Sequence, residues 1–389
     1  MKAIVNARLV LHDHVVVGSL LIGDGVIRQV GDFEPPPGAD VFDAGRRYVA
    51  PGLVDIHVHG GGGYSLMTDD PEEVRAYARW VVRSGVTAFL ISTAAPGHER
   101  LLRRLEACVA AVGPMHGGAE PLGFHLEGPF INPARRGAFD AAWLRPPDAG
   151  AYRELAAAAR GQVRQVTLAP ELPGADALIA SVLESGAAAA MGHTDADAGQ
   201  AARAVGLGVR HVTHTFNAMR PFAHRDPGCL GVILTEPSLT AELIADGAHV
   251  HPVAGLALVR TKGPDGVALV TDAIPLAGTP GPAAVWEGMN VRIEGGKAIR
   301  ADGTIVGGVT TLDRMVANAV RWFGVSMPEA VRMASLVPAA VIGMDDRKGS
   351  LAAGKDADVI VLDDDLRVVE TYVRGEHVYT SQALQRVHL

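Results

Sequence analysis

Apolar and polar residues follow two different patterns along this chain. Near both ends, short apolar runs are broken by turn residues such as Asp24-Gly25, which is typical of strands joined by tight turns. In the centre, short apolar runs alternate with longer stretches rich in Ala, Leu, Arg and Glu, which is typical of strands alternating with helices. The patterns predict two β-rich ends around an α/β centre.

The β-rich ends are predicted to form one domain. Strands are expected at 2–6, 9–11, 15–22, 26–30 and 41–43 and, at the other end, at 358–362, 368–373 and 377–380. Because two all-β ends flank one long α/β region, we expect the termini to meet and build a small, discontinuous β-sandwich domain. We place this domain at residues 1–52 plus 346–389, and the catalytic domain at residues 53–345.

The α/β centre contains eight predicted strands. The first leads into His57 and His59, and the others lie at 87–92, 122–126, 165–169, 187–192, 210–213, 240–244 and 267–271. Helical stretches lie between most of them, such as 71–84, where Asp70 is a suitable N-cap. Eight such strands favour a (β/α)8 barrel of the TIM type. A doubly wound sheet is the alternative, but no Gly-x-Gly-x-x-Gly opens a helix after a strand.

The region after the eighth strand has a different pattern. A hairpin is predicted at 289–299, turning at Gly295-Gly296, and two helices at 311–323 and 326–342. Ser326 and Glu329 have the spacing of a capping box, so we expect the second helix to begin there.

The end of the first strand carries residues with metal-binding chemistry. Alternate residues of a strand face the same way, so Asp55, His57 and His59 are expected to share one face. Two imidazoles about 7 Å apart along a strand can converge on one cation or on two adjacent ones. The alternative is a pair of core or surface histidines beside a flexible glycine loop, residues 60–63.

Further polar residues follow later strands of the predicted barrel. Glu127 ends the third strand, His193 the fifth, His214 the sixth and Asp272 the eighth. In a barrel these ends form one rim, where active sites are built. Two histidines and a glutamate there suit a divalent metal ion, most simply zinc with an open position for water. A carboxylate beside the metal can take a proton from water and return it to a leaving group, the role we expect for Asp272.

Each of these residues also has an ordinary explanation. Glu127 could be a solvated loop residue, His193 a structural histidine and Asp272 a helix N-cap. Their joint occurrence at strand ends favours a metal site over these alternatives. His125 and His211 are interpreted as structural, His211 because it lies three residues before His214 and so faces the opposite way on a strand.

Composition narrows the classes of function. The net charge is −8 and no basic tract is longer than a pair such as Arg135-Arg136, which argues against a nucleic-acid or anionic-membrane surface. Cys108 and Cys229 are far apart and in no metal-binding pattern, so we expect reduced cysteines and a cytoplasmic protein. We also expect no signal peptide and no membrane span, because no apolar run has the required length.

Seven stretches of the sequence resemble the amidohydrolase superfamily and, within it, the N-acetylglucosamine-6-phosphate deacetylases. They lie at 51–60, 125–130, 191–194, 214–219, 245–249, 269–273 and 349–358. The His-x-His and the closing stretch are shared widely across the superfamily. The Glu-Gly-Pro-Phe at 127–130 and the His-x-Phe-Asn-Ala-Met at 214–219 are more specific to the deacetylases.

The resemblance implies a function and a role for each matching residue. It implies hydrolysis of the N-acetyl group of N-acetylglucosamine 6-phosphate, in amino-sugar catabolism or cell-wall sugar recycling, by a homodimer with one or two divalent metal ions per subunit. The implied ligands of the principal zinc are Glu127, His193 and His214, with His57 and His59 at a second metal, and Asp272 is the implied general base and acid. The implied substrate-binding residues are Asn217, Ala218, Arg225, which reaches the neighbouring active site, His249, Ala138 and Thr310.

One position departs from the family pattern. After Arg135-Arg136-Gly137 the family commonly has a polar residue close to the substrate, whereas this chain has Phe139, which donates no hydrogen bond. The alternatives therefore include a deacylase of a different N-acyl sugar or N-acyl amino acid, a cyclic-amide hydrolase, and a non-catalytic protein that binds a metal or a sugar phosphate. Because one fold serves many functions, the fold alone does not separate them.

Overall fold

Eight parallel strands of the central region stand side by side in the order in which they occur in the chain. In the computed structural model, which describes residues 1–381, barrel strands 1 to 8 are Leu53–Asp55, Val86–Thr93, Glu120–Glu127, Val163–Leu168, Ala188–Met191, His211–Val212, Thr240–Leu243 and Val267–Leu269. All eight predicted strands are present, and the predicted (β/α)8 architecture is confirmed. Their carboxyl ends therefore form one rim.

The barrel is closed by the segments that follow strands 1 and 8. The backbone N–H of Asp272 donates to the carbonyl of His57 over 2.8 Å, and the N–H of His59 donates to the carbonyl of Ala273 over 2.7 Å. Strand 1 itself ends at Asp55, so both histidines lie in irregular backbone beyond it and not on the strand as predicted. This closure brings the His-x-His stretch next to Asp272.

Ten α-helices of the described residues accompany these strands. They are Pro71–Val81, His98–Cys108, Ala149–Ala158, Ala175–Glu184, Ala198–Gly206, Gly228–Thr235, Pro252–Lys262, Leu312–Phe323, Met327–Met333 and Leu336–Val341. The first begins as expected, because the Asp70 side chain accepts from the N–H of Glu72 over 2.8 Å. A 3-10 turn, Val82–Ser84, extends it to Gly85, whose φ of 75° ends the helix in the left-handed region.

The helix predicted over 326–342 is two helices separated by Ala334 and Ser335. In one continuous helix, Pro338 would lack the N–H that bonds to the carbonyl of Ala334, and its ring would clash there. The structure uses that free carbonyl elsewhere, because it accepts from the N–H of Val54 on barrel strand 1 over 2.9 Å. The predicted capping box between Ser326 and Glu329 is present at the start of the first of the two helices.

Barrel strands 2 and 3 are buried along their whole length. Their apolar side chains, such as Phe89 and Phe124, belong to the main hydrophobic core, and burying a side chain of that size contributes about 1.5–3 kcal/mol. The same strands also carry buried polar side chains, among them Ser92 and His125. The interior below the rim is therefore partly polar, and polar groups there can hydrogen-bond to the charged side chains of a buried site.

The two ends of the chain form one mostly antiparallel sheet, which confirms the predicted discontinuous β domain. Its eight strands are Lys2–Val10, Val15–Gly23, Val26–Gly31, Asp40–Asp43, Tyr48–Pro51, Val359–Leu362, Val368–Val373 and Glu376–Thr380. The first is one strand and not two, because a bulge between Ile4 and Ala7, where Asn6 has a φ of 51°, keeps it continuous. The domain boundaries at 52 and 346 stay a prediction, and residues 382–389 lie outside the described residues.

An ion cluster joins the base of the barrel to this sheet. The Nζ of Lys348 lies 2.6 Å from Glu120, 2.9 Å from Asp356 and 2.8 Å from Asp358, and only 1% of Lys348 is exposed. Glu120 begins barrel strand 3, whereas Asp356 and Asp358 precede the C-terminal strands. One buried cation thus holds carboxylates from both parts of the fold.

A small antiparallel sheet follows barrel strand 8. Its strands are Ala283–Trp286, Met289–Glu294, Lys297–Ile299 and Ile305–Gly307, so the predicted hairpin gains one strand on each side. Trp286 and Val291 from this sheet pack in a separate apolar cluster with Met67 and Ile274 near the barrel rim. Within residues 1–381, no helix combines the length and the apolar character needed to cross a membrane.

Candidate metal centre and active site

The predicted site residues lie where barrel strands end. Glu127 is the last residue of strand 3, whereas His193, His214 and Asp272 follow strands 5, 6 and 8 within three residues. These last three residues have φ values of 46°, 28° and 47°, in the left-handed region. Holding a residue with a side chain there costs on the order of 1–3 kcal/mol, and such strain is concentrated at functional sites.

One group of side chains surrounds a single oxygen of Glu127. Its Oε1 lies 3.1 Å from the Nε2 of His193 and 3.1 Å from the Nε2 of His214. The two Nε2 atoms are 3.0 Å apart, and all three side chains are buried. Their ligand atoms all lie within 4.8 Å of one another, which is compatible with one shared metal ion.

A second group shares the same glutamate. The Oε2 of Glu127 lies 2.9 Å from the Nε2 of His59, and its Oε1 lies 3.4 Å from the Nε2 of His57. The Oδ1 of Asp272 lies 3.3 Å from His59 and 3.5 Å from His57. Glu127 therefore stands between two adjacent groups of ligand atoms, with Asp272 in the second group.

Three of the four histidines have a fixed tautomer. The Nδ1 of His193 lies 2.7 Å from the carbonyl of Arg135, and that of His59 lies 3.2 Å from the carbonyl of Ser92. The Nδ1 of His57 lies 2.8 Å from the carboxylate of Glu242. Because these oxygens only accept, each Nδ1 carries a hydrogen. In the neutral ring the lone pair is then on Nε2, on the side of Glu127, where it can bind a cation.

The charges of the site favour a positive ion. Burial opposes protonation of His57, but the carboxylates of Glu127, Glu242 and Asp272 outweigh it and raise its pKa well above the usual value. Burial likewise opposes protonation of His59, yet hydrogen bonds with Asp272 and Glu127 raise its pKa to about 9. The same cation-favouring field would act on a metal ion.

The side chains present fit a divalent metal ion. The Nε2 of His57 is buried and has no hydrogen-bond partner, which is costly for a polar atom unless it binds something. Imidazole nitrogens together with carboxylate oxygens are a donor set that zinc and similar divalent ions accept. We conclude that this rim holds a divalent metal site.

A cavity of about 550 Å³ opens above these groups. Its floor contains His59, Glu127, His193, His214 and Asp272. Its walls come from the loops after strands 3 and 6 and from the small sheet, and include Phe139, Trp143, Trp286, Glu287, Asn290 and Arg300. The volume is within the range of about 300–1,000 Å³ that is typical of small-molecule sites.

Four of the six predicted substrate-binding residues line this cavity: Asn217, Ala218, His249 and Ala138. Thr310 does not; it borders a separate small cavity with Asp55 and Thr271. The reason is the close pairing of the Gly308 backbone with that of Asp272 and Ile274, which leaves Gly307 at the site. Arg225 is exposed and is not among the described residues that line the cavity of its own chain.

Phe139 forms part of an aromatic wall. Its ring centroid lies 6.0 Å from that of Trp143 and 5.5 Å from that of His193, in an edge-to-face arrangement with the latter. Asp140, which could have replaced a polar residue, accepts from the N–H of Ala142 over 2.9 Å and caps a 3-10 turn. This side of the cavity therefore presents apolar surface to a ligand.

Glu242 was not predicted as a site residue. It lies in the middle of an apolar strand, at a position whose side chain points into the barrel, and it contacts His57. His125, interpreted as structural, bridges Ser92 and Thr167 beneath the site. His211 is also buried below the rim but contacts Glu242, so it is linked to the site. An acidic residue within a largely apolar strand was the one available signal for Glu242.

Comparisons with known proteins agree with this geometry. Residues 48–378 match the model of the Amidohydrolase family. A curated N-acetylglucosamine-6-phosphate deacetylase of Bacillus subtilis (strain 168) is 33% identical over 375 residues, which cover 95% of each chain. A curated N-acetylgalactosamine-6-phosphate deacetylase of Escherichia coli O157:H7 is 35% identical over 370 residues, covering 94% of this chain and 95% of that protein.

A solved structure is similar along nearly the whole chain. It is an aspartate-to-alanine mutant of the N-acetyl-D-glucosamine-6-phosphate deacetylase of Mycobacterium smegmatis, in complex with N-acetyl-D-glucosamine-6-phosphate. The TM-score is 0.91 at 33% identity, and the match covers 97% of this chain and 99% of the other.

Proposed function

This chain belongs to the amidohydrolase family, and on that premise we propose that it hydrolyses N-acetylglucosamine 6-phosphate to glucosamine 6-phosphate and acetate, with a divalent metal. The observation that carries the proposal is the pair of ligand groups sharing Glu127, placed beside Asp272 at the floor of a ligand-sized cavity. The substrate is the one named for the relative from Bacillus subtilis, which matches over 95% of both chains.

The residues of the floor divide the catalytic work. Glu127, His193 and His214 would hold the principal cation, for which we propose zinc, and His57 and His59 would hold a second one with Glu127. Such a cation, when bound, polarises the carbonyl of the acetamide and lowers the pKa of water beside it. The left-handed backbone at His193 and His214 aims both rings at the same glutamate oxygen.

Asp272 would move the proton. Burial raises its pKa, but the charge of His57 and the hydrogen bond from His59 outweigh burial and lower it, so the carboxylate begins ionised. It can accept the proton of the attacking water as the new carbon–oxygen bond forms. It then delivers that proton to the nitrogen as the carbon–nitrogen bond breaks, which gives the amine and acetic acid. The acid ionises to acetate as its remaining proton passes to the amine or to water.

The polar side of the cavity would hold the phosphate. The Nδ1 of His249 lies 2.7 Å from Asp246, and its Nε2 is buried without a partner. Burial opposes protonation of His249, but the contact with Asp246 outweighs it and raises its pKa, so Nε2 can donate to an anion. Asn217 and Ala218 border the same space.

We propose that Arg225 completes the phosphate site of a neighbouring subunit in a homodimer. Residues 221–226 are all exposed, and Phe222 on this loop is 54% exposed, so the loop is accessible to a second subunit. Arg225 projects from the same loop and does not line the cavity of its own chain among the described residues. The proposed location is cytoplasmic, because both buried cysteines are free and the substrate is a sugar phosphate.

A second substrate is favoured by the wall at Phe139. A site that reads a hydroxyl by hydrogen bonding rejects analogues by roughly 10⁴-fold or more, whereas an apolar surface discriminates by about 10- to 200-fold. The rings of Phe139 and Trp143 present a largely apolar surface on this side of the cavity. N-acetylgalactosamine 6-phosphate, the substrate named for the similar protein from Escherichia coli, is therefore the second candidate.

The test is acetate release by zinc-loaded protein from both sugar phosphates and from unphosphorylated N-acetylglucosamine. We expect kcat/KM for N-acetylglucosamine 6-phosphate to exceed that for the unphosphorylated sugar by about 100-fold or more, because charge-assisted hydrogen bonds contribute about 1.5–3 kcal/mol each. Release from neither phosphate, with release from an N-acyl amino acid, would replace this proposal by another deacylase activity.

A further inference from the structure

Glu242 lies inside the barrel directly beneath the metal centre. It belongs to barrel strand 7, and no part of it is exposed. Its Oε2 lies 2.8 Å from the Nδ1 of His57 and 2.9 Å from the backbone N of His214. Its Oε1 lies 2.8 Å from the Nε2 of Gln165 and 2.9 Å from the Nε2 of His211.

All four contacts supply a hydrogen to the carboxylate. An ionised carboxylate has two oxygens that only accept, so it can satisfy four donors at once. A glutamine would offer one accepting oxygen, and its amide hydrogens would then face two of these donors. The arrangement is specific for a carboxylate and not merely for a polar side chain of that size.

A buried carboxylate needs a compensating charge. None of the four groups in contact with Glu242 is a lysine or arginine side chain. Isolated buried charges cost several kcal/mol unless they are paired. When a cation is bound and His57 is a neutral ligand, the positive charge nearest to Glu242 would be that cation, with the ring of His57 in between.

We propose that Glu242 is a positioning residue that holds the Nε2 of His57 toward Glu127 and Asp272 and thereby builds the second cation site. The inference rests on the metal-dependent function proposed above. Carboxylates that bind the far nitrogen of a ligating histidine fix its orientation and its tautomer and raise its basicity. No described contact links the side chain of Glu242 to His193 or to Glu127.

The contacts predict an asymmetric effect. Glu242 binds the imidazole of His57 but touches His214 only through the backbone. The imidazole of His193 depends instead on the carbonyl of Arg135. Loss of Glu242 should therefore weaken the cation held by His57 and His59, while the group of Glu127, His193 and His214 keeps its own.

The experiment measures metal content and affinity of the purified full chain without substrate. After loading with zinc and removal of free metal, we expect two ions per subunit in the wild type and one in Glu242→Gln. The affinity for the second ion, measured by chelator competition, should fall about 10- to 100-fold. After loading with Mn²⁺, the spin-coupled signal of an ion pair in the wild type should become that of isolated ions.

Controls separate positioning from a loss of folding. Glu370→Gln is the matched control, because Glu370 is also buried and also binds a histidine, His377, but lies in the terminal sheet. The Glu370→Gln variant should keep two ions per subunit. If Glu242→Gln does not fold, Glu242→Asp keeps the charge but is one methylene too short to reach His57, and it should also lose the second ion.

Two outcomes would overturn the proposal. One is unchanged ion number and affinity in a folded Glu242 variant, and the other is a single ion in the wild type. A double variant with His57→Asn should lose no more second-site affinity than His57→Asn alone, because Glu242 acts on this ion only through His57. If all variants bind metal as expected but the wild type releases no acetate from a sugar phosphate, the proposed substrate fails and the role of Glu242 stands.

Discussion

The Nε2 atoms of His193 and His214 lie 3.0 Å apart and face the same oxygen of Glu127. Since the Nδ1 of His193 donates to the carbonyl of Arg135, its Nε2 carries a lone pair. Two nitrogens and one carboxylate oxygen so close together are stable when they surround a positive ion. This geometry agrees with the assignment of the three residues as metal ligands from the sequence.

Replacing His193 should therefore remove the principal metal. His193→Ala is expected to lose this ion and more than about 100-fold of activity. Loss of a residue that only binds a metal ligand already lowers metal affinity or activity about 10- to 100-fold, and His193 is itself a ligand. Elemental analysis and acetate release measure both effects. His116→Ala, which removes a fully exposed histidine paired with Glu376, is the control and should change neither. A His193 variant with full metal content would contradict the assignment.

Replacing Asp272 should separate chemistry from metal binding. Asp272→Asn keeps an oxygen at the same place but cannot take a proton, so kcat should fall about 10²- to 10⁴-fold while ligands around Glu127 still bind metal. Steady-state kinetics and metal analysis check this. Asp302→Asn alters an aspartate that is 56% exposed and should behave as wild type. Retention of normal kcat in Asp272→Asn would exclude it as the proton carrier.

Arg225 provides a test of the proposed dimer. Arg225→Ala should raise KM for the phosphorylated sugar about 10- to 100-fold, because a charge-assisted contact contributes about 1.5–3 kcal/mol, and should leave the unphosphorylated sugar unaffected.

Mixed dimers of Arg225→Ala and Asp272→Asn subunits distinguish the neighbouring subunit from the same one. If Arg225 acts across the interface, the Arg225→Ala subunit receives an intact arginine from its partner and regains activity. If mixing restores nothing although mixed dimers form, Arg225 does not act across the interface.

Lys348 should be important for stability and not for chemistry. Lys348→Met leaves the buried Asp358 without its cation, whereas Glu120 and Asp356 keep their contacts with Arg347. Removing one partner of a buried ion pair costs about 3–5 kcal/mol, and the denaturant midpoint should fall accordingly. Lys2→Met breaks an exposed pair with Asp40 and should cost about 0–1 kcal/mol. An unchanged midpoint in Lys348→Met would refute this role.

Local patterns in the sequence were sufficient for much of the fold. The period of apolar residues depends on backbone geometry within one element, so the eight barrel strands and the capping box at Ser326 were predictable. The break between Met333 and Leu336 has a local cause in Pro338, which the apolar period does not register. The donor that the carbonyl of Ala334 finds, Val54, was not predictable because it lies in a distant part of the chain.

The sequence by itself determined which residue types stand at the ends of the barrel strands, and so the ligand chemistry of Glu127, His193 and His214. Only the tertiary structure decided that Glu242 lies beneath His57, that Thr310 lies away from the cavity, and that Phe139 forms a wall with Trp143. The physical reason is that a residue's type and its position in an element are local properties. Contacts between elements depend on closure of the barrel and on loop paths, which bring together residues far apart in the chain.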